Sequence, residues 1–273
     1  MSRTDRPGPH HNGVIRKLFA IVLIAAMAAA GLVASSPHRG DAAGTAGPAA
    51  LDVLFVGNSL IGTPAATGEA TPDVVRRMAA ATGRILRTVE VIRFGNTLQQ
   101  TWDAGPARIA LSGSARFDFI VLQEYSTLVA TDLARAEATL LRTYAPALSR
   151  ALKPRGRVVL FKNWALADPA PFASRAQNVA AIDAGYARLA AELPVPTLVA
   201  PISDEFEAVV ARHGTGPLID PDGKHPTGQA VYLDAATLHG LFFGESPREL
   251  PDLYVPATMA GRLREVAAAA LGF

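Results

Sequence analysis

The sequence predicts a three-layer α/β/α domain built on a five-stranded parallel sheet, and three observations carry that prediction. Short apolar runs of strand character alternate regularly with longer alanine-rich runs of helical character. The first strand run, Leu51–Val56, is almost continuously apolar, as a strand covered on both faces must be. The helical runs between later strands are long enough to make the crossovers that parallel neighbours require.

Taken in order, the strand Leu51–Val56 is followed by a helix over Pro72–Thr82, with Pro72 in its first turn and Gly83 after its end. Ile85–Phe94, Phe117–Gln123, Arg157–Asn163 and Val195–Ala200 read as strands two to five. Helical stretches at 132–152 and 172–192 supply crossovers, and Pro146 is placed to kink or split the first. Two helices, 227–242 and 257–271, close the domain. The long loop 60–71 and the stretch 99–115 are expected to shape the pocket. No internal repeat is apparent.

Residues 1–43 read as a signal peptide or an N-terminal anchor, since Arg16 and Lys17 precede an apolar run, Leu18–Ala34, that ends among small and polar residues. Its 17 residues stand at the short edge of a bilayer span. The chain is therefore expected to be exported, periplasmic or secreted, with membrane contact only through an uncleaved N-terminal segment. Residues 44–50 form a Gly/Ala/Pro linker, and 51–273 form the domain.

The basic balance of the whole chain comes from that leader. Arg3, Arg6, Arg16, Lys17 and Arg39 fall in it against Asp5 and Asp41, so of 26 basic and 24 acidic residues the remainder holds 21 and 22. Neither a basic stripe nor an aromatic ladder appears, so no nucleic-acid surface is expected. With no cysteine in the chain, disulfides, thiolate catalysis and Cys-ligated zinc are excluded together.

Acid-base chemistry points to one histidine. His10, His11 and His38 belong to the leader region, His239 lies in an apolar helical run, and His213 sits at a helix end where it complements the dipole. His225 alone has a carboxylate at a short fixed offset, in Asp220-Pro221-Asp222-Gly223-Lys224-His225-Pro226. Asp222 can hold one imidazole nitrogen and leave the other free to take a proton. The matching nucleophile is Ser59, in Gly57-Asn58-Ser59 directly after the first strand. Both sites fall at the carboxyl edge of the predicted sheet, where open α/β sheets bind ligands.

These blocks resemble the SGNH or GDSL hydrolases over most of residues 51–245. In that family an apolar strand ends in Gly-Asp-Ser, matched here by Gly57-Asn58-Ser59 with Asn for Asp, and the last block is Asp-x-x-His, matched by Asp222 and His225. The resemblance implies a flavodoxin-like sheet and a Ser59, His225, Asp222 triad. It also implies an oxyanion hole made by the backbone of Ser59 and Gly95, the latter in Arg93-Phe94-Gly95-Asn96. The third block departs from Gly-x-Asn-Asp and reads Leu122-Gln123-Glu124, as in a bacterial subgroup, so Gln123 is expected to supply the side-chain amide donor. Without it, the hole rests on two backbone amides.

Other site types fit less well. Gly57 and Gly62 have phosphate-loop spacing, but Thr63-Pro64 stands where Lys-Ser/Thr is required. No Gly-x-Gly-x-x-Gly follows a strand, and Gly57-Asn58-Ser59-Leu60-Ile61 lacks the last glycine of the α/β-hydrolase elbow. Asp220, Asp222 and His225 have no second histidine at ligand spacing, so neither metal nor other cofactor is expected. The expected activity is hydrolysis of small acyl esters, with O-acetyl groups on carbohydrate preferred and Tyr125, Asn163 and Trp164 as pocket residues. The alternative is a module of the same fold that binds acylated glycan or cell-wall fragments without turnover.

Overall fold

The computed structural model describes residues 49–273, so the leader expected over 1–43 and most of the linker lie outside the described residues. In chain order the elements are β1 (Leu51–Gly57), α1 (Ser59–Gly62), α2 (Thr71–Ala81), β2 (Leu86–Ile92), α3 (Leu98–Asp103), α4 (Pro106–Ser112) and β3 (Phe117–Leu122). They continue with α5 (Leu128–Thr131), α6 (Leu133–Glu137), α7 (Ala145–Ala151), β4 (Leu152–Phe161), α8 (Arg175–Glu192), β5 (Thr197–Ala200), α9 (Ile202–His213), α10 (Gly228–Phe243) and α11 (Ala257–Ala270).

The five strands pair in parallel in the order β2-β1-β3-β4-β5. From β1 the chain steps outward to β2, then returns past β1 to lay down β3 on its other side. That reversal between β1 and β3 is the switch point beyond whose carboxyl ends such sheets bind ligands. Ser59 follows β1 there, and Gln123 follows β3.

Side-chain alternation along the central strands builds two cores. Val53 and Phe55 pack with α1, α2, α9, α10 and α11 on one face, while Leu54 and Val56 pack with α3 to α8 on the other. All four are fully buried, each worth about 1.5–3 kcal/mol of apolar transfer. The result is the three-layer α/β/α sandwich.

Three expectations are sharpened. The helical stretch at 132–152 is interrupted by a π-helical segment, Ala138–Tyr144, where the Ala145 N–H reaches back to the Leu140 carbonyl just before Pro146, which has no N–H to donate. The fourth strand starts at Leu152, earlier than Arg157, because Leu152 pairs with Phe117 ahead of a bulge. The stretch 99–115 is mostly α3 and α4, whose Leu98, Ala107 and Leu111 sit in the second core.

Candidate active site

The Gly57-Asn58-Ser59 turn is shaped by two close approaches. Asn58 caps α1 from its side chain, Oδ1 accepting the Leu60 N–H at 3.2 Å, which puts Ser59 at the first helical position. A Cβ on Gly57 would stand 2.8 Å from Ile61 Cγ2 and 2.9 Å from Gln123 Oε1, so only glycine lets β3 and the turn come this near.

His225 arrives from a loop between α9 and α10. Asp220 N–H donates to the His225 carbonyl at 2.8 Å, and Ile219 and Pro226 form an antiparallel bridge, so the loop closes on itself like a small hairpin. Within it Asp222 Oδ1 accepts the N–H groups of Lys224 and His225, each at 2.9 Å. Its Oδ2 lies 2.5 Å from His225 Nδ1. The three-residue offset thus lets one carboxylate fix both the backbone and the ring. The His225 contacts, ring first, together with the Lys224 amide hold Asp222 ionised, its pKa lowered to about 2.

With Nδ1–H donating to Asp222, His225 Nε2 is the acceptor, and the Ser59 hydroxyl donates to it at 2.9 Å. Residues 166 positions apart in sequence therefore meet at hydrogen-bond distance, with the base already oriented by a carboxylate. Ser59 is buried apart from a narrow exposed face.

Two backbone N–H groups are open to a developing oxyanion. Neither Ser59 nor Gly95 donates its N–H to a protein acceptor among the described residues. Gly95 occupies the turn closed by Asn96 N–H to the Arg93 carbonyl at 3.1 Å, with φ +78, a backbone conformation that favours glycine. The Asn58 amide ties this turn to the nucleophile, Nδ2 donating to the Asn96 carbonyl at 2.9 Å.

Gln123, expected to donate into the same hole, is fully buried with its amide otherwise engaged. Its Oε1 accepts the Asn58 N–H at 2.8 Å, and its Nε2 donates to the Glu124 carbonyl and to Asn163 Oδ1, the latter at 3.1 Å. An amide nitrogen has two protons, and both are taken. Gln123 braces the Ser59 turn from behind.

Asn163 and Trp164, expected to face a sugar, are buried too. Asn163 Nδ2 donates to the Glu124 carbonyl at 2.8 Å. Trp164 stacks on Phe206 at 4.2 Å between ring centroids, and its Nε1 donates to the Lys224 carbonyl at 3.1 Å. With Ala167 N–H donating to the Gly223 carbonyl at 2.9 Å, the segment after β4 buttresses the histidine loop rather than lining a pocket. Of the three residues expected in the pocket, only Tyr125 is partly exposed.

Glu124, the last residue of Leu122-Gln123-Glu124, holds the neighbouring backbone in place. Its Oε1 accepts the N–H groups of Tyr125 at 2.7 Å and Leu98 at 3.0 Å, anchoring the start of α3 and so the end of the Gly95 loop. Burial pushes its pKa up, against the pull of those two amides. A carboxylate directly after an apolar strand was the available signal, but its partner across the sheet was not legible. The other two histidines of the domain are structural in position. His239 is buried against Thr82 Oγ1 at 3.1 Å, burial lowering its pKa to about 4, and His213 ends α9.

No protein-family model matches this chain, and no curated protein matches it in sequence. Solved structures do match in shape. A DUF4886 family protein from Bacteroides uniformis superposes with a TM-score of 0.69 at 14% identity, covering 82% of this chain and 96% of that one. A putative SGNH hydrolase from Slackia heliotrinireducens gives 0.54 at 23% identity, over 70% of this chain and 98% of that one. The fold is that of the SGNH hydrolases. The acetylxylan esterase Axe2 from Geobacillus stearothermophilus shares it, with a TM-score of 0.55 at 16% identity over 72% of this chain and 95% of that one. An apolar groove of about 830 Å³ between α9 and α11 is lined by none of Ser59, Gly95 or His225 and lies apart from this site.

Proposed function

We propose that this SGNH-fold domain is a serine ester hydrolase acting on small acyl esters, with O-acetyl groups on carbohydrate as the preferred class. The observation that carries the reading is the continuous chain from Ser59 Oγ through His225 to Asp222, at 2.9 Å and 2.5 Å.

In this reading His225 Nε2 takes the Ser59 proton as Oγ bonds to the acyl carbon, and the carbonyl oxygen becomes an oxyanion facing the Ser59 and Gly95 amides. Asp222 stabilises the imidazolium. Collapse breaks the ester bond, His225 gives its proton to the departing alkoxide, and the alcohol leaves an acyl group on Ser59. Water then attacks that acyl carbon as His225 takes its proton, and the proton returns to Ser59 Oγ as the acid departs.

The inward turn of the Gln123 amide favours a second reading, a glycan-binding module with little turnover, because one oxyanion donor is worth about 10²–10³ in rate. Acetate release separates the two. The esterase reading predicts release from 4-nitrophenyl acetate and acetylated xylan by the wild type and its loss in Ser59→Ala. Saturable glycan binding without Ser59-dependent release would support the module instead.

A further inference from the structure

Lys224 is the residue between the orienting carboxylate and the base, and its side chain has no assigned role. Its backbone is pinned on both sides, N–H to Asp222 Oδ1 at 2.9 Å and carbonyl to Trp164 Nε1 at 3.1 Å. The side chain crosses to Tyr125, which follows the end of β3, with Nζ 4.8 Å from the ring centroid and 3.5 Å from the hydroxyl. The loop that carries His225 thereby also carries an ammonium, which rests on the aromatic residue just past β3.

Among the described residues, no carboxylate forms a salt bridge with it. Among the described residues, the other two lysines each grip two acids, Lys153 with Asp52 and Asp118, Lys162 with Asp183 and Asp204. Lys224 has no such partner although Asp222 is two residues away, because that carboxylate is taken up by His225 and two backbone amides. A half-exposed contact with an aromatic face is worth about 0.5–1 kcal/mol, too little to lock a long side chain against a better partner. Lys224 leaves the chain about 3.8 Å from His225, Cα to Cα, so its ammonium is tethered to the same short loop as that imidazole.

We propose that Lys224 is a specificity residue that selects acyl esters of acidic sugars, its ammonium pairing with a carboxylate on the ring that bears the ester. This rests on the esterase reading of Ser59. A single ammonium is a point charge suited to a singly charged carboxylate, whereas phosphate recognition draws on several donors or a guanidinium fork. Tyr125 holds the ammonium just past the carboxyl end of β3.

The test compares an O-acetylated galacturonic acid glycoside with the same sugar carrying a primary amide in place of its carboxylic acid, followed by acetate release at low salt. The wild type is expected to show a KM about five-fold lower for the acid, a gap of the size exposed charge pairs give. Lys224→Met should close the gap through KM rather than kcat, Lys224→Arg should restore it, and added salt should shrink it in the wild type. Equal KM values in the wild type, or a gap that survives Lys224→Met, would overturn the inference while leaving the esterase reading intact. Calorimetry with galacturonate covers the opposite case. Lys224-dependent binding with no acetate release from either sugar keeps the subsite and rejects the esterase.

Discussion

Asn58 Nδ2 donates to the Asn96 carbonyl at 2.9 Å, joining the turn that carries Ser59 to the turn that carries Gly95. This bond accounts for an amide where the Gly-Asp-Ser pattern has a carboxylate, since an aspartate would set one oxygen against another with no proton between them.

Asn58→Asp keeps the Oδ1 cap on Leu60 but loses that donor. The substitution is expected to cost about 1–3 kcal/mol of stability. By loosening one oxyanion donor against the nucleophile, it should also lower kcat/KM by at least about tenfold. Urea denaturation and turnover of 4-nitrophenyl acetate measure the two. Wild-type values in both would show that the link between the turns has no consequence.

Gln123→Ala separates a brace from an oxyanion donor. Removing the side chain leaves the Asn58 N–H and Asn163 Oδ1 without their buried partner, a loss of about 2–4 kcal/mol. The denaturation midpoint should therefore fall clearly. A midpoint that stays in place while kcat drops about a hundredfold would return Gln123 to the hole.

A buried acid in the first turn of α9 is expected to set a pH dependence of stability. Thr237 Oγ1 lies 2.6 and 2.7 Å from the two Glu205 oxygens and also donates to the Leu233 carbonyl at 3.1 Å. One hydroxyl proton cannot serve all three. A neutral Glu205 supplies its own proton to Thr237, which leaves the hydroxyl proton for Leu233. Burial, and to a lesser degree the Asp204 charge, push the Glu205 pKa up from 4.5 to about 8. Because the folded-state value is raised, this contribution is full below about 4.5 and is lost as pH rises through about 8. Thermal midpoints of the wild type should decline across that window, and Glu205→Gln should flatten the decline. Parallel pH curves for the two proteins would contradict the assignment.

Much of the fold was legible because burial on both faces writes itself into composition. Leu51–Val56 reads as a covered strand, and such a strand it is, within one residue of β1. The Asp-x-x-His spacing was equally readable, since a local turn sets both its hydrogen bonds. What escaped reading depends on contacts across the sheet. Gln123 and Asn58 are 65 positions apart, and nothing in Leu122-Gln123-Glu124 says which way an amide turns once the strand is buried. Trp164 was misplaced for a related reason. An aromatic just past a strand can face the cleft or the helices, and the Phe206 ring that decides it comes 42 residues later, on α9.

The central claim is that Ser59 is a nucleophile activated by His225, and covalent labelling tests it most directly. Treating the folded protein with a fluorophosphonate and mapping the adduct by peptide mass spectrometry should find one modification, on Ser59. Labelling should be absent in Ser59→Ala and strongly slowed in His225→Ala. An adduct on another residue, or labelling of Ser59 at an unchanged rate without the imidazole, would contradict the account.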